Sequence, residues 1–374
     1  MSSAVNRRDF LRTASAPLIG LGFPAAAQPR EREVSCILLM LVGGPSQLDT
    51  WDMKPDAPAG IRSPFRPIRT NVAGIEISEI FPRMARHADK YSLVRGVHHN
   101  AMPVHDVGHQ ALQTGRVFRN GLEHPHIGCA IAHLKGPRSG APAHVLLPGP
   151  IGATGGNLPH GQDAGYLGGG CNPLVASPDS CGIHREPDAV RRRYGASLFG
   201  QSCLAARRLI EAGARFVTVN MFDTVFGRRT WDSHGYQPFC GLDAYRGHVG
   251  PIFDMAYSSL LEDLSDRGLL DTTMVAALSE FGRTPRLNYA GGRDHWPNCW
   301  TVLMGGGPLK RGEVIGSSDN IGAFPKDRPV TPAEIAATLS HAFGIDPHAK
   351  LGSPGGEPLP LLDDSVQPIR ELLA

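Results

Sequence analysis

Positions 34–42 read VSCILLMLV, and Gly43-Gly44-Pro45 follows at once. An uncharged apolar run without alternation describes a strand buried on both faces, as in a parallel sheet covered by helices. Gly-Gly-Pro does not extend such a strand and marks the turn that ends it. Outward from this run, similar short apolar stretches recur at 91–97, 144–147, 214–222, 273–278 and 301–304. Helical patterns lie between them. A proline at a first turn opens a helix from Pro125 to Leu134. Another spans Ser197–Ala212 and is stopped by Gly213. A long amphipathic helix covers Tyr245–Arg267, with Phe253, Ala256, Leu260 and Leu264 near helical spacing. Thr331-Pro332-Ala333-Glu334 is a capping box whose helix runs to Gly344. Ser78-Glu79 is read as opening a further helix through Ala88, and 149–188 as a Gly- and Pro-rich loop. The alternation predicts an α/β fold with a mostly parallel central sheet and helices on both faces. No internal repeat or linker divides it, so 28–374 is expected to be a single domain.

The N-terminus has another character. Asn6-Arg7-Arg8-Asp9-Phe10-Leu11-Arg12 leads into an apolar stretch, 14–27, that ends in Pro24-Ala25-Ala26-Ala27. A twin arginine, an apolar core and a small-residue cleavage pattern in that order predict a twin-arginine signal over 1–27. The expected partner is the twin-arginine translocation machinery, and the expected destination is the periplasm or the medium. No other segment reaches the length of a membrane span. A net charge of +2 without a basic stripe argues against nucleic acid. Seven cysteines without a Cys-x-x-Cys pair argue against a zinc-thiolate site. In an oxidising compartment Cys171 and Cys181 are expected to pair across a short loop.

Three groups carry the chemistry. They are Thr230-Trp231-Asp232-Ser233-His234-Gly235, Ser279-Glu280-Phe281-Gly282-Arg283, and Gly292-Arg293-Asp294-His295-Trp296-Pro297. Two follow predicted strands and the third precedes one. Ligands of parallel sheets bind outside the carboxyl ends of the strands. Carboxylates and imidazoles gathered there form a donor set for a divalent metal. Asp232, His234, Glu280 and His295 are therefore the expected ligands, with Asp49 after the first strand as a further one. Asp294 is expected to orient His295. Arg283 is expected to neutralise charge on an anionic substrate. His98, His99, His105 and His109 also cluster, with His105 as the expected site residue.

These residues resemble an exported bacterial family, domain of unknown function 1501, of the alkaline phosphatase/sulfatase-like superfamily. The resemblance covers essentially the whole mature chain. It rests on ILLMLVGGPSQLDTWDMKPDAP (37–58), IRSPFRPI (61–68), FGQSCLAARRLIEAGARFVTVN (199–220), KDRPVTPAEIAATLSHAFGIDP (326–347) and the three groups above. It implies an alkaline phosphatase-like fold and metals at strand ends. Asp232, His234 and His295 look like the superfamily's set of one Asp and two His. Glu280 falls at the Asp of its other site, but Phe281 replaces the His. Gly43 or Gly44 stands where a second Asp is usual, and Asp49 and Asp52 follow. Sulfatases carry a cysteine nine positions before a Thr-Gly-Arg. Here Thr114-Gly115-Arg116 is preceded at that distance by His105, which rules out the aldehyde chemistry of a conventional sulfatase and leaves an imidazole as attacking group or metal ligand.

The expectation is thus an exported hydrolase of phosphate or sulfate esters, or of a related anionic group, dependent on zinc, calcium or manganese. Its substrate would be an anionic small molecule or polysaccharide. The alternative is a non-catalytic periplasmic binding or scaffold protein on a degenerate hydrolase fold.

Overall fold

The computed structural model describes residues 33–353 and 356–374. The signal expected over 1–27 lies outside them. The central sheet uses eight strands: β1 (Ser35–Met40), β2 (Ser92–Val97), β3 (His144–Leu147), β4 (Leu174–Val175), β5 (Phe216–Asn220), β6 (Thr273–Leu278), β7 (Trp300–Gly306) and β8 (Val314–Ile315). Their order across the sheet is β8-β2-β7-β6-β1-β5-β3-β4. All neighbouring pairs are parallel except those of β7, which runs antiparallel to both β2 and β6. The mostly parallel sheet is as expected.

Six α-helices accompany it among the described residues: α1 (His105–Thr114), α2 (Ile127–Lys135), α3 (Asp188–Arg193), α4 (Leu198–Glu211), α5 (Gly250–Asp266) and α6 (Pro332–Ala342). The alternating side chains of β1 separate two cores. Ile37, Leu39 and Leu41 pack into a core with Leu204 of α4 and Phe253 and Leu260 of α5. Cys36, Leu38, Met40 and Val42 pack on the other face with Ile131 of α2 and Ile335 and Leu339 of α6. Helices therefore cover both faces, which is why β1 carries no polar face. The capping box of α6 forms in both directions, Thr331 accepting from the Glu334 backbone and Glu334 from the Thr331 backbone.

Local readings needed correction. The helix expected from Ser78 to Ala88 is a short strand, Glu76–Ser78, followed by two 3-10 turns, Met84–Arg86 and Ala88–Lys90. Pro82 lacks the N–H a helix interior needs and biases Phe81 toward extended backbone. The long helix begins with a π-helical turn, Tyr245–Val249, before α5. Cys171 and Cys181 are both free. Cys181 Sγ instead donates to Ser177 O at 3.4 Å, and Cys171 Sγ lies 3.5 Å from His133 Nδ1. No helix among the described residues is long and apolar enough to cross a membrane.

Candidate metal centre

The parallel strands β1, β5 and β6 end on one edge of the sheet, and antiparallel β7 begins there. The turn after β1 is the keystone of that edge. Gly43 adopts φ +113, and a Cβ on it would lie 2.7 Å from the backbone nitrogen of Asp232. Only glycine permits this contact between the loops after β1 and β5. Gly43 N donates to Glu280 Oε1 at 2.7 Å, tying in the loop after β6. The Gly-Gly-Pro turn thus anchors protein groups. Beyond Glu280, Gly282–Arg283 pairs antiparallel with His295–Trp296, setting His295 opposite Arg283.

The structure brings Asp232, His234, Glu280, His295, Arg283 and His105 together. Asp232 Oδ1 lies 3.1 Å from His234 Nε2 and 3.5 Å from His295 Nε2. The two Nε2 atoms are 3.0 Å apart. The outer nitrogens fix the tautomers. His234 Nδ1 faces Asp294 Oδ1 at 2.8 Å, and His295 Nδ1 faces the carbonyl of Pro103 at 2.8 Å. Neither partner has a proton to give, so each Nδ1 donates and each Nε2 faces inward. Asp294 therefore orients His234, and a backbone carbonyl orients its expected partner, His295.

His105 opens α1 between two buried carboxylates. Its Nδ1 is 2.6 Å from Glu280 Oε1, and its Nε2 is 3.2 Å from Asp232 Oδ2. Burial alone would lower its pKa, but the hydrogen bonds with Asp232 and Glu280 prevail and raise it above its ordinary value. With both ring nitrogens engaged by carboxylates His105 is not placed to attack, so the geometry favours a holding role for it over an attacking one. Burial would raise Asp232 too. Arg283 and the surrounding histidines outweigh it and hold the carboxylate well below its usual range. Glu280, opposed by burial but favoured by His109 and His105, is held down at about 2. Burial, only partly offset by Asp232, lowers His295 to about 4, so its ring is neutral near pH 7.

Arg283 sits behind the centre. Its Nη2 is 2.7 Å from Asp232 Oδ1, its Nε donates to Gly44 O at 2.8 Å, and its Nη1 donates to Arg293 O at 3.1 Å. The side chain is fully buried. It holds Asp232 in place, and its position behind that carboxylate does not favour the expected contact with substrate. Asp49 does not join the centre. Both its oxygens face Arg293, with Oδ2 2.7 Å from Nε, so it is committed to an ion pair. Asp52 is likewise paired, with Lys54 at 3.0 Å and Arg95 at 3.4 Å. Phe281 presents an apolar ring to the centre. Its ring centroid lies 4.4 Å from that of His295 and 4.9 Å from that of His105.

Sequence reasoning left His109 outside the site. It lies one turn after His105 on α1, fully buried, with its Nε2 3.5 Å from Glu280 Oε1. Spacing of four on one helix face was the available signal. Thr114-Gly115-Arg116 serves the helix end instead. Gly115 takes the left-handed conformation that stops α1, and Arg116 binds Asp363 at 2.8 Å and the Leu361 carbonyl at 3.0 Å. Among the described residues, the centre meets solvent through the partly exposed side chains of His234 and His295 and the half-exposed Asp294. A cavity of about 550 Å³ lies elsewhere, lined by Met53, Arg69, Ile75 and Arg95.

A family model described as a protein of unknown function, DUF1501, matches residues 33–181 and 174–373. No curated protein matches the chain. Several solved structures are similar to it at low identity. A phosphonate monoester hydrolase from Silicibacter pomeroyi is 13% identical with a TM-score of 0.45, covering 92% of this chain and 76% of that one. The PsFucS1 sulfatase from Pseudoalteromonas sp. is 12% identical with a TM-score of 0.42, covering 84% and 68%. A protein in the alkaline phosphatase superfamily from Vibrio parahaemolyticus is 9% identical with a TM-score of 0.41, covering 84% and 67%.

Proposed function

We propose that this chain, which belongs to the DUF1501 family, is an exported, metal-dependent hydrolase of phosphate or sulfate esters or of a related anionic group. The observation that supports this reading is the meeting of three inward-facing acceptors, Asp232 Oδ1, His234 Nε2 and His295 Nε2, all within 3.5 Å of one another. Acceptors that close repel unless a cation or a shared proton lies among them. Asp232 Oδ1 is buried and faces Arg283 Nη2 at 2.7 Å without an aligned hydrogen bond. Donor atoms bound at 2.0–2.1 Å in tetrahedral array stand about 3.3 Å apart, which these separations match. Two imidazoles and one carboxylate suit zinc or manganese better than calcium, which takes oxygen ligands.

Asp232, His234 and His295 would hold a divalent cation, which when bound would supply Lewis acidity toward an ester oxygen. The rest of the work falls to the chain. Asp294 and the Pro103 carbonyl keep protons on the outer nitrogens of His234 and His295, so the inner ones stay available. Arg283 balances and pins Asp232. Phe281 closes the inner side against water, and His234 and His295 leave one approach for an anionic small molecule or a charged polysaccharide end. Twin-arginine export through Arg7-Arg8 belongs to the same proposal.

The test is metal content of the purified full-length protein together with turnover of aryl phosphate, phosphodiester, phosphonate and sulfate esters. Bound zinc or manganese and a hydrolytic rate that His295→Ala abolishes are expected. A metal-loaded, folded protein with no turnover on the whole panel would overturn the hydrolase reading. It would leave the periplasmic binding or scaffold protein, which the engagement of both His105 nitrogens and the phenyl ring of Phe281 favour.

A further inference from the structure

We infer that Tyr236 and Tyr289 form a stacking shelf beside the centre, one that grips a ring in the organic part of the ester. This rests on the reading of the centre as a site for an anionic ester and specifies what the anion is attached to. Tyr289 is 90% exposed and Tyr236 38%. Their rings lie 12° from parallel with centroids 5.9 Å apart. Phe239 backs them, its centroid 6.0 Å from that of Tyr236 and 4.7 Å from that of His234. The Tyr236 centroid is itself 5.5 Å from that of His234. The shelf thus adjoins the edge through which the centre meets solvent. A molecule whose anion reaches His234 and His295 lays its neighbouring atoms on these rings.

The independent observation is that both turns carrying the shelf are pinned, and pinned to the centre. Gly235 N donates to Cys240 O at 2.7 Å and Phe239 N to Tyr236 O at 2.9 Å, closing the turn of Tyr236. Asn288 Oδ1 accepts from Ala290 N at 3.0 Å and Gly292 N at 3.1 Å, closing the turn of Tyr289. The Asn288 amide then donates to His234 O at 2.9 Å and to Asp294 Oδ1 at 3.1 Å. Gly235, at φ +85, lets the two turns touch, since a Cβ there would meet Ala290 O at 2.8 Å. One side chain therefore ties the shelf to the carboxylate that orients His234, and shelf and centre keep a fixed spacing. Exposed apolar surface beside a polar site marks a contact for a ligand. Tyrosine offers a flat apolar face with a hydroxyl at its rim, suited to a partner that stays wet on one side. A rigid ring covers such a face with little loss of conformational freedom, whereas a flexible chain must first be ordered. The shelf therefore selects esters of ring alcohols, an aryl alcohol or a sugar, over those of open-chain alcohols.

The test is calorimetric binding of methyl-, phenyl- and cyclohexylphosphonate, and of the matching sulfonates, to the purified full-length protein. These probes share one anionic head, resist hydrolysis and differ in the group beside it. The better ring ligand should bind about tenfold more tightly than the methyl one. Tyr289→Ala should bring that ratio close to one, and Tyr289→Trp, which restores a flat face, should keep it. Tyr289 is too exposed for either change to unfold the chain. A preference for phenyl identifies an aryl ester, and a preference for cyclohexyl identifies a saturated ring such as a sugar. A ratio that neither Tyr289→Ala nor Tyr236→Ala alters overturns the shelf and leaves the anionic-ester reading standing. Binding of ring ligands that depends on Tyr289 but not on His295 keeps the shelf and overturns that reading. A wild type that binds none of the probes overturns both.

Discussion

Arg293 and Asp49 stand 244 positions apart, yet their side chains pair at 2.7 Å with both sealed from solvent. Arg293 also donates to Ile61 O at 2.8 Å. The pair staples the loop that carries Asp294 and His295 to the loop after β1. Asp49→Asn should therefore act on position and stability, because it leaves a buried guanidinium short of its counter-charge. A loss of about 3–5 kcal/mol is expected, read by urea denaturation, with metal stoichiometry kept in the folded fraction. Lower stoichiometry at unchanged stability would make Asp49 a ligand after all.

His234 and His295 offer the most direct check on the first metal position. Each alanine variant should lose more affinity than the roughly 10–100-fold that removal of an outer partner costs. Neither ring sits in the apolar core, so both variants should fold. The double variant should add little, since the two ligands serve one ion. Competition with a chromophoric chelator measures this, and wild-type affinity in either single variant would remove that residue from the ligand set.

Asp294→Asn changes only what lies behind His234. The amide leaves the ring in reach of an acceptor but removes the charge that favours an Nδ1 proton. Metal affinity should fall about 10–100-fold with no change in melting temperature of the metal-free protein. Unaltered affinity would mean that Asn288, which donates to His234 O at 2.9 Å, orients the loop unaided.

Acid should act first on α4 and α5. Asp263 accepts from Tyr194 Oη at 2.9 Å and Arg267 Nε at 2.8 Å and pairs with Arg207 at 2.9 Å. Burial would raise its pKa, but those partners outweigh it and lower it. A depressed carboxylate stabilises the fold above its unfolded pKa and loses that contribution as pH falls through the lower folded value. Melting temperature should drop below about pH 4, where unfolded aspartates begin to protonate. Asp263→Asn should be less stable at pH 6 and flatter toward pH 3. Parallel pH profiles for the two proteins would discount Asp263 as a source of acid lability.

Export can be examined without the structure. Lysine at both Arg7 and Arg8 should leave the protein in the cytoplasm at its unprocessed mass. Undiminished secretion of that variant would exclude the twin-arginine route.

The sheet was legible where burial is uniform. β1, β5 and β6 are uncharged apolar runs, and apolar spacing or caps marked α4, α5 and α6. α1 was not legible, because its buried face carries His105, His109, Gln110 and Gln113 where a core helix carries aliphatic residues. A polar buried face defeats binary patterning, and here it is the face that builds the centre. The direction of β7 was equally hidden, since an apolar run reads the same both ways. Asp232, His234 and His295, which the structure brings together, could be grouped from the sequence because each adjoins a strand. Asp49 misled because it also follows one, and only the structure shows Arg293 there first.

The contact of Gly43 with Glu280 spans 237 positions. The chain cannot make it until β6 has been synthesised and has paired beside β1, and His295 arrives later still. The centre thus depends on non-local pairings, which are slow to form. Ion capture would then report that folding is complete, and an apparatus that moves only finished proteins across a membrane would carry the ion with its owner.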